Sequence, residues 1–541
     1  MAQAQQETSS NVNTEVEQLD AIVIGAGVTG IYQLYGLLQK GIKAKIFEAG
    51  SGVGGTWYWN RYPGARFDSE SYSYAYSFSE ELLQEWNWKE HYSGQPENEQ
   101  YLNYVTDKFE LRPNIRFNSR IKSVYFNDAS GRWDVETEDG YRASAQFVIA
   151  AVGILSANNM PDIPGIDSFK GDSFHTSRWP KEAVDFSNKR VGVIGTGATA
   201  IQLIPEVAKQ AGHLSVFQRT PQYAAPLRNS LIADHEQQKI KDDYPETFRK
   251  CDKTFGGFMH DFDPRSALEV SPEVREAFFE EIWAQPGFSK WFGCFHDIMT
   301  SNEANELYAE FVRKKIRERI TDKDLAEKLV PKDYPFGAKR VPMETGYYEA
   351  YNRDNVTLID VNESPIQSIT AKGVKTADAE YELDVIIYAT GFDAITGELT
   401  RMDIRGRGGE SIKDKWADGP RTYMTVQTAD FPNLFIPGGA VFCNFTRCAE
   451  VITEWICECI GYMNDKGHTL IETTVEAEDA WTEHANSLTD GMIFTKTDSW
   501  FMGSNIPGKK RQFLFYAAGA PAFRDKCADV ASKDYEGFIF K

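Results

Sequence analysis

Two glycine-rich strings stand out for the chemistry they could support: Gly25-Ala-Gly27-Val-Thr-Gly30 and Gly195-Thr-Gly197-Ala-Thr-Ala200. Each follows an apolar run, Ala21-Ile-Val-Ile24 and Val191-Gly-Val-Ile194, as a strand feeding a tight turn should. In such a loop one glycine makes the turn, one lets the backbone approach a pyrophosphate, and the third position, where alanine also serves, lets the helix pack closely. With 42 glycines in 541 residues, a G-x-G-x-x-G string arises by chance roughly 0.25 times, so one loop alone says little. Context adds weight. Glu48 ends a second apolar run 23 residues after Gly25, and Arg219 ends one 24 residues after Gly195. A carboxylate at that place accepts hydrogen bonds from ribose hydroxyls, whereas an arginine pairs with a 2'-phosphate. The first loop is therefore expected to hold a dinucleotide with a free ribose, such as FAD, and the second NADPH.

The elements that must position these loops can be read coarsely. Residues 1–18 form a polar tail without the basic and apolar regions of a signal peptide. Ile121-Lys-Ser-Val-Tyr-Phe126 and Trp133-Asp-Val-Glu-Thr137 alternate as a hairpin around Asp128-Ala-Ser-Gly131, and Ala145 to Gly153 reads as a buried strand. Between 225 and 334 charged stretches with apolar residues at three and four, such as Glu303 to Ile320, predict helices inserted into the second nucleotide domain. Strand patterns return at Asn355 to Asp360 and Leu383 to Asp393. The fold class is thus α/β, with two Rossmann-like domains. The expected division is FAD-binding at 19–153 and 390–541, NADP-binding at 156–224 and 335–385, and a helical insertion at 225–334. The return of the last segment to the first domain is argued from size alone.

Composition narrows the partners. A net charge of -21 disfavours nucleic acid and anionic membranes, and no apolar run has the length of a membrane span. The odd count of seven cysteines, with no C-x-x-C and scattered histidines, fits neither a secretory disulfide framework nor a metal site, and points to the cytoplasm. Nothing here fixes the oligomeric state, and a monomer is compatible with it.

The more specific string is Phe169-Lys-Gly171-Asp-Ser-Phe-His175-Thr-Ser-Arg-Trp179-Pro180. It fits F-x-G-x-x-x-H-x-x-x-W-[PD], whose four fixed residues match by chance roughly 10⁻³ times in a chain of this composition. Flanked by two dinucleotide loops, it resembles the fingerprint of type I Baeyer–Villiger monooxygenases, the phenylacetone, steroid and cyclohexanone enzymes among them. The likeness extends over nearly the whole chain after residue 20, with supporting strings at 54–66, 339–340, 347–356, 389–393 and 500–508.

The resemblance implies that NADPH reduces FAD, that a C4a-peroxyflavin forms with dioxygen, and that one oxygen atom is inserted beside a ketone carbonyl to give an ester or lactone. It implies that Arg340 is the fixed cation beside that anion and Asp68 the carboxylate orienting it. Lys339 would join Arg219 and Thr220 at the NADPH phosphate, with Thr196 in the loop. Gly55, Thr56, Trp57 and Asn444 would line the flavin, and Trp500 would border substrate and nicotinamide. His175 and Trp179 would act as a conformational link between domains, not as acid or base. One departure concerns the segment from Phe435 to Glu450, a few residues shorter than the family pattern. Phe442, Cys443 and Phe445 there would wall the substrate pocket, and the shortening favours bulky or cyclic ketones. Three competing readings stand beside this one: an N- or S-oxidising flavin monooxygenase, a dithiol reductase using Cys443 and Cys448 (otherwise two free thiols), and a flavin redox sensor without turnover.

Overall fold

The computed structural model describes residues 16–437 and 443–541, and Phe442 lies outside them. Two sheets organise the chain. The first runs in the order Asp403–Arg405, Ile121–Asn127, Arg132–Thr137, Arg142–Ile149, Glu17–Ile24, Ala44–Phe47 and Ile115–Arg116, with Leu434–Phe435 also on Arg142–Ile149. Its parallel half carries the apolar residues Ala21 to Val23, none with measurable exposure, because helices and loops cover both faces. The hairpin expected at 121–137 is present and antiparallel. The strand Glu17–Ile24 starts inside the segment expected to be a tail: Glu17, Gln18 and Leu19 pair with Ala143, Ser144 and Ala145.

The second sheet is wholly parallel, in the order Val356–Asp360, His213–Gln218, Arg190–Ile194, Val385–Tyr388 and Asp172–His175. The fingerprint string thus supplies its edge strand and then the short 3₁₀ turn Thr176–Arg178. Two elements contributed late in sequence, Asp403–Arg405 and Leu434–Phe435, pair with the first sheet, not the second. The segment between Ala225–Pro226 and its parallel partner Met343–Glu344 is built from helices, the longest being Asn302–Arg317. A small antiparallel sheet, Ile366–Ile369, Gly373–Thr376 and Glu380–Glu382, is additional to the expected elements; its strands are of three or four residues, too short for alternation to show.

Candidate active site

Both glycine loops end strands and start helices that no side chain caps. The helix Val28–Gln39 begins after Gly27 and Ala198–Ala208 after Gly197, each without a side-chain cap hydrogen bond, which leaves their first amides for an anion. Gly25 (φ +101°) and Gly195 (φ +108°) adopt a conformation that favours glycine, and a Cβ would come within 2.7 Å of the Ala151 carbonyl oxygen at the one and 2.6 Å of that of Ala389 at the other. At the third positions, Gly30 and Ala200 are both buried. Gly55 (φ +53°) lies so close to Gly27 that a Cβ would sit 2.7 Å from its Cα. The two loops open into one cavity of about 890 Å³.

Glu48 forms the base of the first loop's end of this cavity. Its carboxylate accepts from the amides of Ala26 (2.7 Å) and Gly50 (2.6 Å), and burial pushes its carboxyl above the usual range despite those two amides. Trp57 donates to the Tyr74 hydroxyl (3.1 Å) and packs edge-on to Phe67, while Thr56 begins the short helix Thr56–Trp59. At the second loop, the Thr196 hydroxyl donates to the Thr220 carbonyl (2.9 Å). Arg219 and Lys339 converge beside it. Burial lowers the ammonium pKa of Lys339, and Arg219 is the next largest cause; its Nζ lies 4.6 Å from the Tyr334 ring centroid. Both line the cavity, and among the described residues neither forms an ion pair with a carboxylate. Two neighbouring cations, neither in an ion pair, suit a phosphate.

Between the loops stands the pair the resemblance singled out. Arg340 Nη2 donates to Asp68 Oδ2 (2.7 Å), which also accepts from the Met343 amide (3.0 Å). Asp68 is 1% exposed, and its Oδ1 is buried without a partner. Arg340 and Asp68 are 272 residues apart in sequence, and the fold brings them together. Asn444 precedes the helix Phe445–Lys466 and donates to the Ser73 carbonyl and hydroxyl (3.2 Å each), its own Oδ1 buried and unpartnered. Unpartnered Asp68 Oδ1 and Asn444 Oδ1, the uncapped helix ends and the glycine cradle together fit a dinucleotide cofactor with a polar ring edge. Trp500, packed on Phe501 and Phe515, closes another side.

Cys443, Phe445 and Cys448 line the same cavity, but Cys443 and Cys448 form a disulfide across a Cα separation of 6.5 Å, so the expectation of two free thiols is corrected. Cys443 sits just before the N-cap Asn444 and Cys448 in the first turn of the helix. The other five cysteines are buried and free. His175 behaves as a structural residue: its Nδ1 accepts from the Ser177 amide (3.2 Å) and its Nε2 faces the Thr390 hydroxyl (3.4 Å). Burial, aided by Arg178, lowers its pKa to about 4. Trp179 packs between Phe174 and Phe186. Gly171 lies against Asp384 and the Phe169 ring, and Pro180 follows.

An aromatic wall of the cavity was not among the sequence expectations. Phe258, Phe288, Trp291 and Phe292, all from the helical segment, line the same cavity as Arg340 and Trp500. Phe258 stacks on Phe292 with centroids 5.1 Å apart. The density of Phe, Trp and Gly between 255 and 295 was the available sign, and it reads equally as ordinary core.

The geometry agrees with what the chain is similar to. A profile of the Flavin-binding monooxygenase-like family matches residues 19–225. The chain is 47% identical to the 2-oxo-Δ3-4,5,5-trimethylcyclopentenylacetyl-CoA monooxygenase of Pseudomonas putida over 96% of this chain and 98% of that one. It is 44% identical to the acetone monooxygenase (methyl acetate-forming) of Gordonia sp. strain TY-5, covering 96% and 98%. Forming methyl acetate from acetone is insertion of oxygen beside a ketone carbonyl. The chain belongs to the Baeyer–Villiger monooxygenases. Among solved structures, that of OTEMO in complex with FAD and NADP matches with a TM-score of 0.94 at 46% identity, covering 97% of this chain and all of that one. As a Baeyer–Villiger monooxygenase this protein uses FAD and NADPH, and the fold of two nucleotide-binding sheets is the family's. Among the described residues no helix is long and apolar enough to cross a membrane, and no cluster of side chains could hold a metal ion.

Proposed function

We propose that Arg340 is the fixed cation of the oxygenation step, held by Asp68, with FAD on the first glycine loop and NADPH on the second. The observation that carries this is the Arg340–Asp68 pair (2.7 Å) in the wall of the one cavity that both loops share. Bound FAD, reduced by NADPH, supplies the activated oxygen. The rest is positioning. An arginine keeps its proton in a dry site, so it presents positive charge wherever negative charge develops there. Asp68, fixed in turn by the Met343 amide, restricts the guanidinium to one orientation. Phe258, Phe288, Trp291, Phe292 and Trp500 exclude water from the space in front of it. Arg219 and Lys339 grip the 2'-phosphate, with the Thr196–Thr220 contact shaping the loop, while Glu48 takes the ribose of FAD. Gly55, Thr56, Trp57 and Asn444 border the flavin.

The sheet memberships support a division into an FAD-binding part at 19–153 and 390–541, an NADP-binding part at 156–224 and 335–385, and helices at 225–334. The substrates are O₂ and a ketone. The relatives' names range from acetone to a CoA-linked cyclopentenone, so identity does not rank ketones by size; the aromatic wall is what favours large rings here. Five buried free thiols support a cytoplasmic setting, and the disulfide speaks against it.

The test is Arg340→Ala. Anaerobic bleaching of the flavin by NADPH should persist, because hydride transfer does not call on this cation, while ester formation falls on the order of 10²-fold or more. Ester formation near the unsubstituted rate would refute the assignment.

A further inference from the structure

The fingerprint string contains one more charged residue whose place in the fold gives it work. Arg178 ends the 3₁₀ turn Thr176–Arg178, directly after the edge strand of the second sheet. Its guanidinium nevertheless reaches the first half of the molecule: Cζ lies 4.6 Å from the ring centroid of Trp59, and Nη2 is 3.4 Å from the Ser156 carbonyl. Its stronger hydrogen bond is local, from Nη1 to the Ser177 carbonyl (2.9 Å). Among the described residues it forms no ion pair.

The charges around it are unbalanced. Arg120, Arg401, Glu48 and Glu398 face Arg178. Arg120 is taken by Glu398 (3.0 Å), Arg401 by the carbonyls of Asn158, and both Glu48 oxygens by backbone amides. Both carboxylates that act most strongly on Arg178 are thus already held by other groups, and its half-buried guanidinium has no ion-pair partner among the described residues. A cation withdrawn from water without a counter-charge is costly, and burial followed by Arg120 lowers its pKa accordingly. Arg178, Arg120, Glu48 and Trp59 all line the cavity that Gly25 and Gly27 also line, and Glu48 holds the Ala26 amide of that loop.

We propose that Arg178 is the counter-ion of the FAD diphosphate, so that the interdomain segment carrying the fingerprint is itself part of the FAD site. This rests on the reading that FAD lies along the first loop. Guanidinium offers a planar pair of donors to a phosphate, and Trp59 holds the plane in place by stacking. The consequence is that FAD ties the edge strand of the second sheet to the first half, and that loss of FAD frees that segment.

The experiment dilutes the holoenzyme and follows free FAD by its fluorescence, as a function of salt. Arg178→Ala should raise the FAD dissociation constant on the order of tenfold or more and flatten its dependence on ionic strength, while the dissociation constant of NADP⁺ stays within twofold. Arg178→Lys keeps the charge and should recover part of the affinity, which also guards against a variant that merely folds poorly. Unchanged FAD affinity in Arg178→Ala would overturn the proposal. So would equal weakening of FAD and NADP⁺, which marks a purely structural arginine. Gly27→Val separates the two readings: if it still binds FAD normally, the first loop is not the FAD site, whereas if it loses FAD and Arg178→Ala does not, only the counter-ion proposal falls.

Discussion

Specific residues carry the division of labour between the two loops. Glu48 and Arg219 occupy equivalent places after their loops and carry opposite charges, and in the proposed function those charges select which ribose each loop accepts. Arg219 is exposed and shares its surroundings with Lys339, so in the proposed function it makes a charge-assisted contact to the extra phosphate of NADPH and to nothing in NADH. Arg219→Ala should raise the KM for NADPH on the order of tenfold and leave that for NADH nearly unchanged, as steady-state kinetics with the two cofactors would show. Equal effects on both would make the arginine structural. The spacing of Glu48 and Arg219 made this much visible in the sequence. Arg340 was different: beside Lys339 it looked like any surface arginine, and only the resemblance raised it, because its partner Asp68 is 272 residues away.

Among the elements, the edge strand Asp172–His175 with its 3₁₀ turn shows how a fingerprint can be structural. His175 is buried and uncharged, with both ring nitrogens engaged. The unfolded chain binds a proton at its imidazole near pH 6.5, the folded protein only near 4; stability from this group is therefore complete above about 6.5 and is lost as pH falls towards 4. The loss between pH 7 and 5 should be on the order of 2 kcal/mol. His175→Gln should lose less stability than the unsubstituted protein over that interval in urea unfolding, and equal losses would contradict the account. The helix Phe445–Lys466 supplies a second check. Its first turn holds Cys448 against Cys443, so denatured, unreduced protein should titrate five thiols and reduced protein seven. Seven before reduction would mean the pair is open. Helix Asn302–Arg317 and the hairpin at 121–137 were legible from their periods, because one face of each is buried and the other wet. The three-stranded sheet at 366–382 was not, since its strands are too short to show alternation. Nor was the pairing of the two cysteines, because a separation of five carries no information until the helix boundary is known.

Across the whole molecule, the cavity is assembled from parts that are remote in sequence: a loop and Asp68 from the first sheet's side, a loop and Arg340 from around the second, Asn444 and Trp500 from the last third, and an aromatic wall from the helices between. The chain returns to the first sheet through Asp403–Arg405 and Leu434–Phe435. The aromatic wall escaped, because a run of phenylalanines and tryptophans predicts burial but not which side of the packing is left open. An assembly of this kind makes one central claim, that reduced flavin, dioxygen and a ketone meet in front of Arg340 and yield an ester. The most direct measurement incubates the holoenzyme with NADPH, isotopically heavy dioxygen and a panel of linear and cyclic ketones, and weighs the products. An ester or lactone that carries one heavy oxygen atom per molecule, formed in step with NADPH oxidation, is the expected product. NADPH consumption with every ketone recovered unchanged, or a product whose added oxygen comes from water, would contradict it.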